Sequence, residues 1–448
     1  MNMFQIQGET FDKRLASVAN LLSQKKNIVI LAGAGISVSC GIPDFRSKDG
    51  LYNNLNYQEL GLTCAEDLFD IHAFSEDPRP FWKFVRMNNF ASGTIAPSVS
   101  HLFLAWLDQQ QMLLRIYTQN IDGLEQSAGV SEERIVYAHG SFTVATCMKC
   151  KAKYQSSEII ASHNDVEEGV PVCHRRISKK TKISHNTSAA KKKNNSIQIP
   201  PERRSTRKRS STQSTFNTSN NFCPPSVEQG CCGGIIKPNI TFFGEKLDNN
   251  ISRRLEEDYK KADALIVMGT SLSVAPMSKL VGFLPDNIPR ILINRDIVQV
   301  MKSPSQHHHE KQDEICLFDA CLLGNCDAVT QAIKDKITNT DVDTKSKKKH
   351  IYLGELVTDE NNGTWLKNQP RESVLLFEGA LLSAPTPKDA AVPPLNVVVF
   401  CDHCQNEIRG KIFSCNNCFD FDLCGDCYPK VKLTHADGKH EFGIESTT

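Results

Sequence analysis

The sequence predicts an α/β protein: a Rossmann-like parallel sheet with a small structural-zinc domain, and a separate small zinc-finger domain at the C-terminus. Three observations carry this. Four short apolar runs end in small or polar residues. A Cys-x-x-Cys pair, Cys147 and Cys150, interrupts that pattern in mid-chain. Three more such pairs crowd residues 397–448.

The runs come in order. Asn27–Leu31 (NIVIL) leads into Gly33-Ala34-Gly35-Ile36-Ser37, and Leu113–Tyr117 (LLRIY) leads into Gln119-Asn120-Ile121-Asp122. Ala264–Met268 (ALIVM) leads into Gly269-Thr270-Ser271, and Arg290–Ile293 into Asn294. Apolar runs of strand length set among helical stretches read as buried parallel strands. In open α/β sheets ligands bind beyond the carboxyl ends of the strands, so the four polar tips point at one shared site. The glycine pattern alone is weak. Val38 stands where GxGxxG would place its third glycine, and a tight strand-to-helix turn explains Gly33 and Gly35 equally well.

The chain has 448 residues, 40% hydrophobic and 23% charged, an ordinary composition for two or three globular domains. No run approaches the ~18 apolar residues of a membrane span. Met1–Leu15 has no apolar stretch, so a cytosolic or nuclear location without a secretory signal is expected. In that reducing setting the 17 cysteines read as metal ligands rather than disulfides. The net charge of +1 hides an asymmetry: residues 174–222 hold 13 Lys/Arg and one acid, Glu202. This Ser/Thr/Asn-rich stretch has almost no large apolar side chains, and a disordered insertion is expected. Within it, Lys191–Lys193 and Pro201–Ser210 read as a nuclear localisation signal, or else a solvated loop. Direct nucleic-acid contact is unsupported, since no aromatics interleave with the basic residues. His307–His309 read as a solvated loop or a weak metal binder. Residues 336–396 resist assignment; Lys345–His350 reads as a linker, and Ser373–Leu382 as a short strand or helix.

Six motifs identify a family. GAGIS (Gly33–Ser37), GIPDFR (Gly41–Arg46), TQNID (Thr118–Asp122), AHG (Ala138–Gly140), KPNITFFGE (Lys237–Glu245) and GTSLSVAP (Gly269–Pro276) occur in the order found in sirtuins. The resemblance covers about residues 10–335 apart from the insertion. It implies an NAD-dependent protein-lysine deacetylase yielding nicotinamide, 2'-O-acetyl-ADP-ribose and free lysine, nuclear and/or cytoplasmic with the nucleus favoured, acting on acetylated histone tails or other proteins. On that resemblance Gly33, Ala34, Gly35, Ile36, Ser37 and Val38 surround the phosphates. Asp44, Phe45 and Arg46 lie on a loop over the cofactor, with Phe45 on the nicotinamide side. Gln119 and Asn120 meet the ribose, and Ile121 and Asp122 line the nicotinamide pocket. Gly269, Thr270 and Ser271 hold ribose and phosphate oxygens, Asn294, Arg295 and Asp296 reach the adenosine ribose, and Cys326 touches adenine. His139 is the general base, with Asn120 beside it. Thr241, Phe242, Phe243 and Gly244 form the substrate channel, where an extended peptide could add as a strand. Some relatives that prefer acidic acyl groups carry an arginine three residues after a tyrosine. Here Leu55 follows Tyr52 at that spacing, so acetyl or longer apolar groups are expected.

The family's structural zinc takes two Cys-x-x-Cys pairs. Cys147 and Cys150 supply one, but Gln229 replaces a ligand of the second, so Cys147, Cys150, Cys173 and Cys232 are assigned, with Cys223 and Cys231 as alternatives. The C-terminal pattern resembles a ZZ-type zinc finger, whose interleaved ligands would be Cys401, Cys404, Cys424 and Cys427 for one zinc and Cys415, Cys418, His435 and His440 for the other; a peptide is its expected ligand. The expected domains are a catalytic domain over 1–335 (zinc subdomain about 143–237, insertion 174–222), a linker or unassigned stretch over 336–396, and the finger over 397–448. Two other functions fit the same residues: mono-ADP-ribosyl transfer, and a silent scaffold that binds histone tails.

Overall fold

The computed structural model describes residues 8–45, 47–87, 95–161, 169–176, 231–248, 250–298, 318–338, 374–380, 399–404, 406–415, 418 and 421–446. Arg46, Cys223, residues 177–222 of the basic insertion, His307–His309 and Lys345–His350 lie outside the described residues.

All four predicted runs are strands. In chain order the first domain contains β1 Ile28–Ala32, β2 Leu113–Thr118, β3 Ile135–Tyr137, β4 Gly140–Cys147, β5 Lys153–Gln155, β6 Ile236–Ile240, β7 Ala264–Met268, β8 Arg290–Asn294, β9 Ala320–Leu323 and β10 Val374–Leu376. The main sheet runs β10-β9-β8-β7-β1-β2-β3, with every pairing parallel. Every residue of β1, β7 and β8 is buried, because helices cover both faces. Gly8–Ser23, Val99–Gln109 and Cys326–Thr338 cover one face through Phe11, Leu104 and Ile333. Asn250–Tyr259 and Leu280–Phe283 cover the other through Leu255 and Leu280. The chain works outward from β1 through β2 and β3, then returns to the opposite side of β1 with β7. The switch point therefore lies between the tips of β1 and β7, where such sheets leave a crevice.

β10 resolves the open reading of Ser373–Leu382 as a strand at Val374–Leu376, paired with β9 from Val374 opposite Cys321. The sheet thus takes its edge strand from the stretch 336–396, and Phe377 packs edge-on to Phe11 at 5.1 Å.

The antiparallel sheet β5-β4-β6 is inserted between β3 and β7. It shares a phenylalanine-rich core with the helix Arg79–Met87, including Phe69, Phe81, Phe84 and Phe242. At the C-terminus β11 Lys411–Cys415, β12 Asp422–Cys424 and β13 Phe442–Ser446 form a third sheet, ordered β12-β11-β13. Among the described residues its buried core is small, a cluster of Cys401, Ile408, Ile412, Leu423 and Cys427. So small a core needs metal coordination to stay folded. Lys246, just past the candidate peptide segment, meets Asp402 of this unit at 2.6 Å. No helix among the described residues is long and apolar enough to cross a membrane.

One buried ion pair is expected to matter for stability. The Arg115 guanidinium donates to both Asp258 oxygens (2.9 and 3.1 Å), and the Tyr117 hydroxyl donates to Asp258 at 2.8 Å. Asp258 is fully buried, so Asp258→Ala would leave a buried guanidinium uncompensated. The expected loss is ~3–5 kcal/mol of unfolding free energy, read by chemical denaturation.

Candidate functional site

The tips of β1 and β7 approach too closely to admit a side chain on their glycines. A Cβ on Gly33 would lie 2.6 Å from the Thr270 Cβ, and one on Gly35 would lie 2.7 Å from the Gly269 Cα. Gly269 has φ +62, a left-handed conformation suited to glycine, and a Cβ there would meet the Ile36 nitrogen at 2.6 Å. These glycines are thus required first for interlocking two strand tips. The interlock also consumes donors: Gly33 N–H bonds to the Met268 carbonyl, Gly35 N–H to Gly269, Ile36 N–H to Gly33 and Ser37 N–H to Ala34. Few main-chain donors are left for the phosphate contacts expected of Ala34–Val38. Of the amides from 33 to 37, only that of Ala34 has no backbone acceptor among the described residues. Ile36 is fully buried in the core, and Val38 is 44% exposed.

The tip of β2 joins the same cluster. Asn120 Nδ2 donates to the Gly33 carbonyl at 3.2 Å and to Ser37 Oγ at 3.4 Å, and Gln119 Nε2 donates to Thr270 Oγ1 at 3.0 Å. Ser37 Oγ donates to Asp122 at 2.7 Å. Three strand tips are therefore tied by side-chain hydrogen bonds around one crevice, with Asn120 and Thr270 buried and Ser271 exposed. At β8, Asn294 Nδ2 donates to the Asp296 carbonyl at 2.9 Å, which turns the chain. Burial raises the Asp296 carboxyl above its usual value. Cys326 begins the next helix with its thiol on the Ile293 carbonyl at 3.7 Å, and burial pushes it up to about 12, so it stays protonated.

His139 sits between β3 and β4. Its Nδ1 contacts the Gln119 carbonyl at 3.0 Å. A carbonyl only accepts, so Nδ1 carries the proton and Nε2 is the basic nitrogen of the neutral ring. Gly140 follows with φ +72, and any side chain there would run into the Asn239 carbonyl. The His139 carbonyl accepts from Thr241 N–H at 2.8 Å, which fixes the histidine to the peptide segment.

That segment differs from expectation at two residues. Phe242 is 1% exposed and packs on Phe74 and Phe81, so it is a core residue and not a channel wall. Phe243 already pairs with Phe69 and Ile71 through both of its backbone groups, so strand addition is blocked there. A cleft lined by Gly140, Thr241, Glu245, Lys246 and Asp248 runs beside the segment. Gly244 has φ +82 and turns the chain. Lys237 pairs with Glu245 at 2.8 Å beneath this turn, a support the sequence did not signal. On the cofactor loop, Asp44 caps Ser47 N–H at 2.8 Å, and the Phe45 ring lies 5.6 Å from Tyr52 and 5.9 Å from Phe69.

Each cysteine cluster gathers as its ligand spacing requires. Cys147, Cys150, Cys173 and Cys232 converge, with Sγ–Sγ distances of 3.7 Å for Cys147–Cys232 and 3.5 Å for Cys150–Cys173. Zn–S bonds of ~2.3 Å in a tetrahedron put sulfurs about 3.8 Å apart, so the donor set fits zinc. Cys231 lies outside this group, its backbone bridged to Arg176. Four thiolates leave no open position, so the metal would be structural. In the C-terminal unit, Cys401, Cys404, Cys424 and Cys427 form one group and Cys415, Cys418, His435 and His440 the other, the interleaving expected from the sequence. His435 Nε2 lies 3.3 Å from both Cys415 and Cys418 Sγ.

The Sir2 family profile matches residues 33–276, and the ZZ-type zinc finger profile matches residues 396–440. The NAD-dependent histone deacetylase SIR2 of Candida glabrata is 35% identical over 339 residues, 75% of this chain and 58% of that protein. The NAD-dependent protein deacetylase HST1 of Saccharomyces cerevisiae is 33% identical, over 78% of this chain and 60% of its own length. Human NAD-dependent protein deacetylase sirtuin-1 is 32% identical, over 81% of this chain and 42% of its own length. The chain thus spans about half the length of these relatives.

Proposed function

The chain belongs to the Sir2 family, and we propose that it is an NAD-dependent protein-lysine deacetylase with a peptide-binding ZZ-type finger. The observation that carries this reading is the His139 ring, held by the Gln119 carbonyl with Nε2 basic, beside the crevice where three strand tips meet.

NAD is consumed here as a substrate: its bond to nicotinamide breaks as the acetyl oxygen attacks the ribose carbon. Ala34 N–H and the hydroxyls of Thr270 and Ser271 meet phosphate and ribose oxygens. Gln119 and Asn120 orient the ribose, and Ile121 and Asp122 receive the nicotinamide carboxamide under the loop of Asp44, Phe45 and Arg46. Asn294, Arg295, Asp296 and Cys326 surround the adenosine. His139 Nε2 takes a proton from a ribose hydroxyl, which lets the ribose oxygen attack the acyl carbon; a water molecule then adds to that carbon as its bond to nitrogen breaks, and the lysine leaves as the free amine. The acetyl group leaves on ADP-ribose. The lysine enters along Thr241, Phe243 and Gly244, the last two acting through the exposed side of their turn.

NAD labelled in its adenylate tests the reaction class. Label recovered on a small acetylated product supports deacetylation, whereas label retained on protein supports ADP-ribosyl transfer instead. Acyl preference follows from Leu55. An acyl carboxylate would meet no arginine at that spacing, so kcat/KM on a succinyl-lysine peptide is expected to be at least ~10-fold below that on its acetyl counterpart.

Histone tails or other nuclear proteins are the proposed substrates, and the nucleus the proposed location. The basic runs Lys191–Lys193 and Pro201–Ser210 support this reading, as do relatives described as histone deacetylases.

A further inference from the structure

Beneath the proposed nicotinamide side lie three ionisable groups that act in none of the steps above as a unit. One nitrogen of His101 and one oxygen each of Asp122 and Glu125 lie within 4.8 Å of one another. His101 and Glu125 are fully buried. Among the described residues, neither oxygen of Glu125 nor Nε2 of His101 has a hydrogen-bond partner. The Thr118 hydroxyl approaches the Glu125 carboxyl without completing a hydrogen bond. A buried carboxylate with no donor is a costly arrangement, relieved most simply by a proton.

The surrounding bonds place that proton. Ser98 gives its hydroxyl hydrogen to the Ile36 carbonyl at 2.8 Å. The Ser98 amide donates to His101 Nδ1 at 3.2 Å, closing the capping box of its helix, so Nδ1 is an acceptor. The neutral ring's own proton is then on Nε2, and a further proton falls to Glu125. The ionisable groups facing the pair from neighbouring elements are Asp122, Asp327 and Tyr137, none of which supplies positive charge. Burial first, then the Asp122 charge, raise the Glu125 carboxyl to about 7, and burial lowers His101. A divalent ion is the poorer occupant, because both Asp122 oxygens already accept, from Ser37 Oγ at 2.7 Å and Leu124 N–H at 3.0 Å.

We infer that Glu125 carries a proton beside the neutral His101 ring and that the two act as positioning residues for Asp122. With the proton in place, Asp122 faces a neutral pair and keeps its bond to Ser37. When the proton leaves, the buried Glu125 carboxylate within 4.8 Å repels the half-buried Asp122 and shifts it from the nicotinamide carboxamide. This rests on the deacetylase reading for its consequence, though not for the proton itself.

Infrared difference spectra of the full chain against Glu125→Gln test the proton directly. A protonated-carboxyl band should be present in wild type, fade with a midpoint at about pH 7, and be missing from the variant. Inhibition by nicotinamide tests the consequence. It should weaken about tenfold across that midpoint in wild type and stay flat in Glu125→Gln, which keeps the side-chain volume. The inference is overturned if Glu125 is ionised from acid pH upward, or if the variant keeps the wild-type pH dependence. Should the chain cleave no NAD, the deacetylase reading fails; the band then decides the proton, and NAD affinity on either side of the midpoint decides its effect on Asp122.

Discussion

His139→Ala is expected to lower NAD-dependent deacetylation by about 10²–10⁴-fold, the usual contribution of a positioned general base. The sign of the companion measurements matters as much. The ring bonds the Gln119 carbonyl at 3.0 Å, a contact worth about 1 kcal/mol of stability. NAD affinity, set by the tips of β1, β2, β7 and β8, should fall little. A large drop in kcat with a nearly unchanged KM for NAD is thus the signature of a proton-transfer role, read from steady-state kinetics. A parallel loss of NAD binding and of folding would instead mark His139 as a strut between β3 and β4.

Cys173→Ser is expected to be nearly as damaging, by a different route. It removes one of four converging thiols at the centre of the zinc subdomain, where Cys173 N–H also bonds to the Gly234 carbonyl and Gly233 N–H to the Cys173 carbonyl. β4 and β6, the two strands flanking His139 and the peptide segment, lean on the same core. Loss of the metal should cost ~4–5 kcal/mol, a fall in Tm of about 8–20 °C, with activity lost at physiological temperature. Bound zinc, measured by elemental analysis, should fall by one equivalent. Cys231→Ser is the control, since Cys231 stands outside the cluster; it should keep zinc, Tm and activity.

Buried parallel strands carry a largely apolar code, unbroken in β1 and β7 and interrupted in β2 by Arg115, so these strands and β8 are legible in the sequence. The edge strand β10 is not: it is three residues long, distant in sequence from β9, and its pairing is a tertiary event. Metal ligands were legible because coordination fixes both residue type and spacing. Where the spacing was broken by Gln229, Cys173 was still recoverable from the run Val170–Cys173. Contacts that depend on facing were harder. Phe242 and Phe243 are adjacent and chemically identical, and only the fold sends one into the phenylalanine core and the other into a backbone pairing. Glu125 reads as an ordinary helix-start acid, yet it is fully buried because Leu124–Ser127 packs against Val99–Gln109. The glycines of the β1 tip were found for a phosphate role, while the close approach of Gly269 is what makes them necessary.

The central claim is that a cleavable nucleotide and an acylated amine meet at one imidazole. The purified chain, NAD and a histone peptide, with and without its acetyl group, test it directly by quantifying nicotinamide. The account predicts nicotinamide release only with the acetylated peptide, in equal amount to the lysine freed. Nicotinamide released equally without the acetyl group, or no release at all with zinc sites filled, would contradict it.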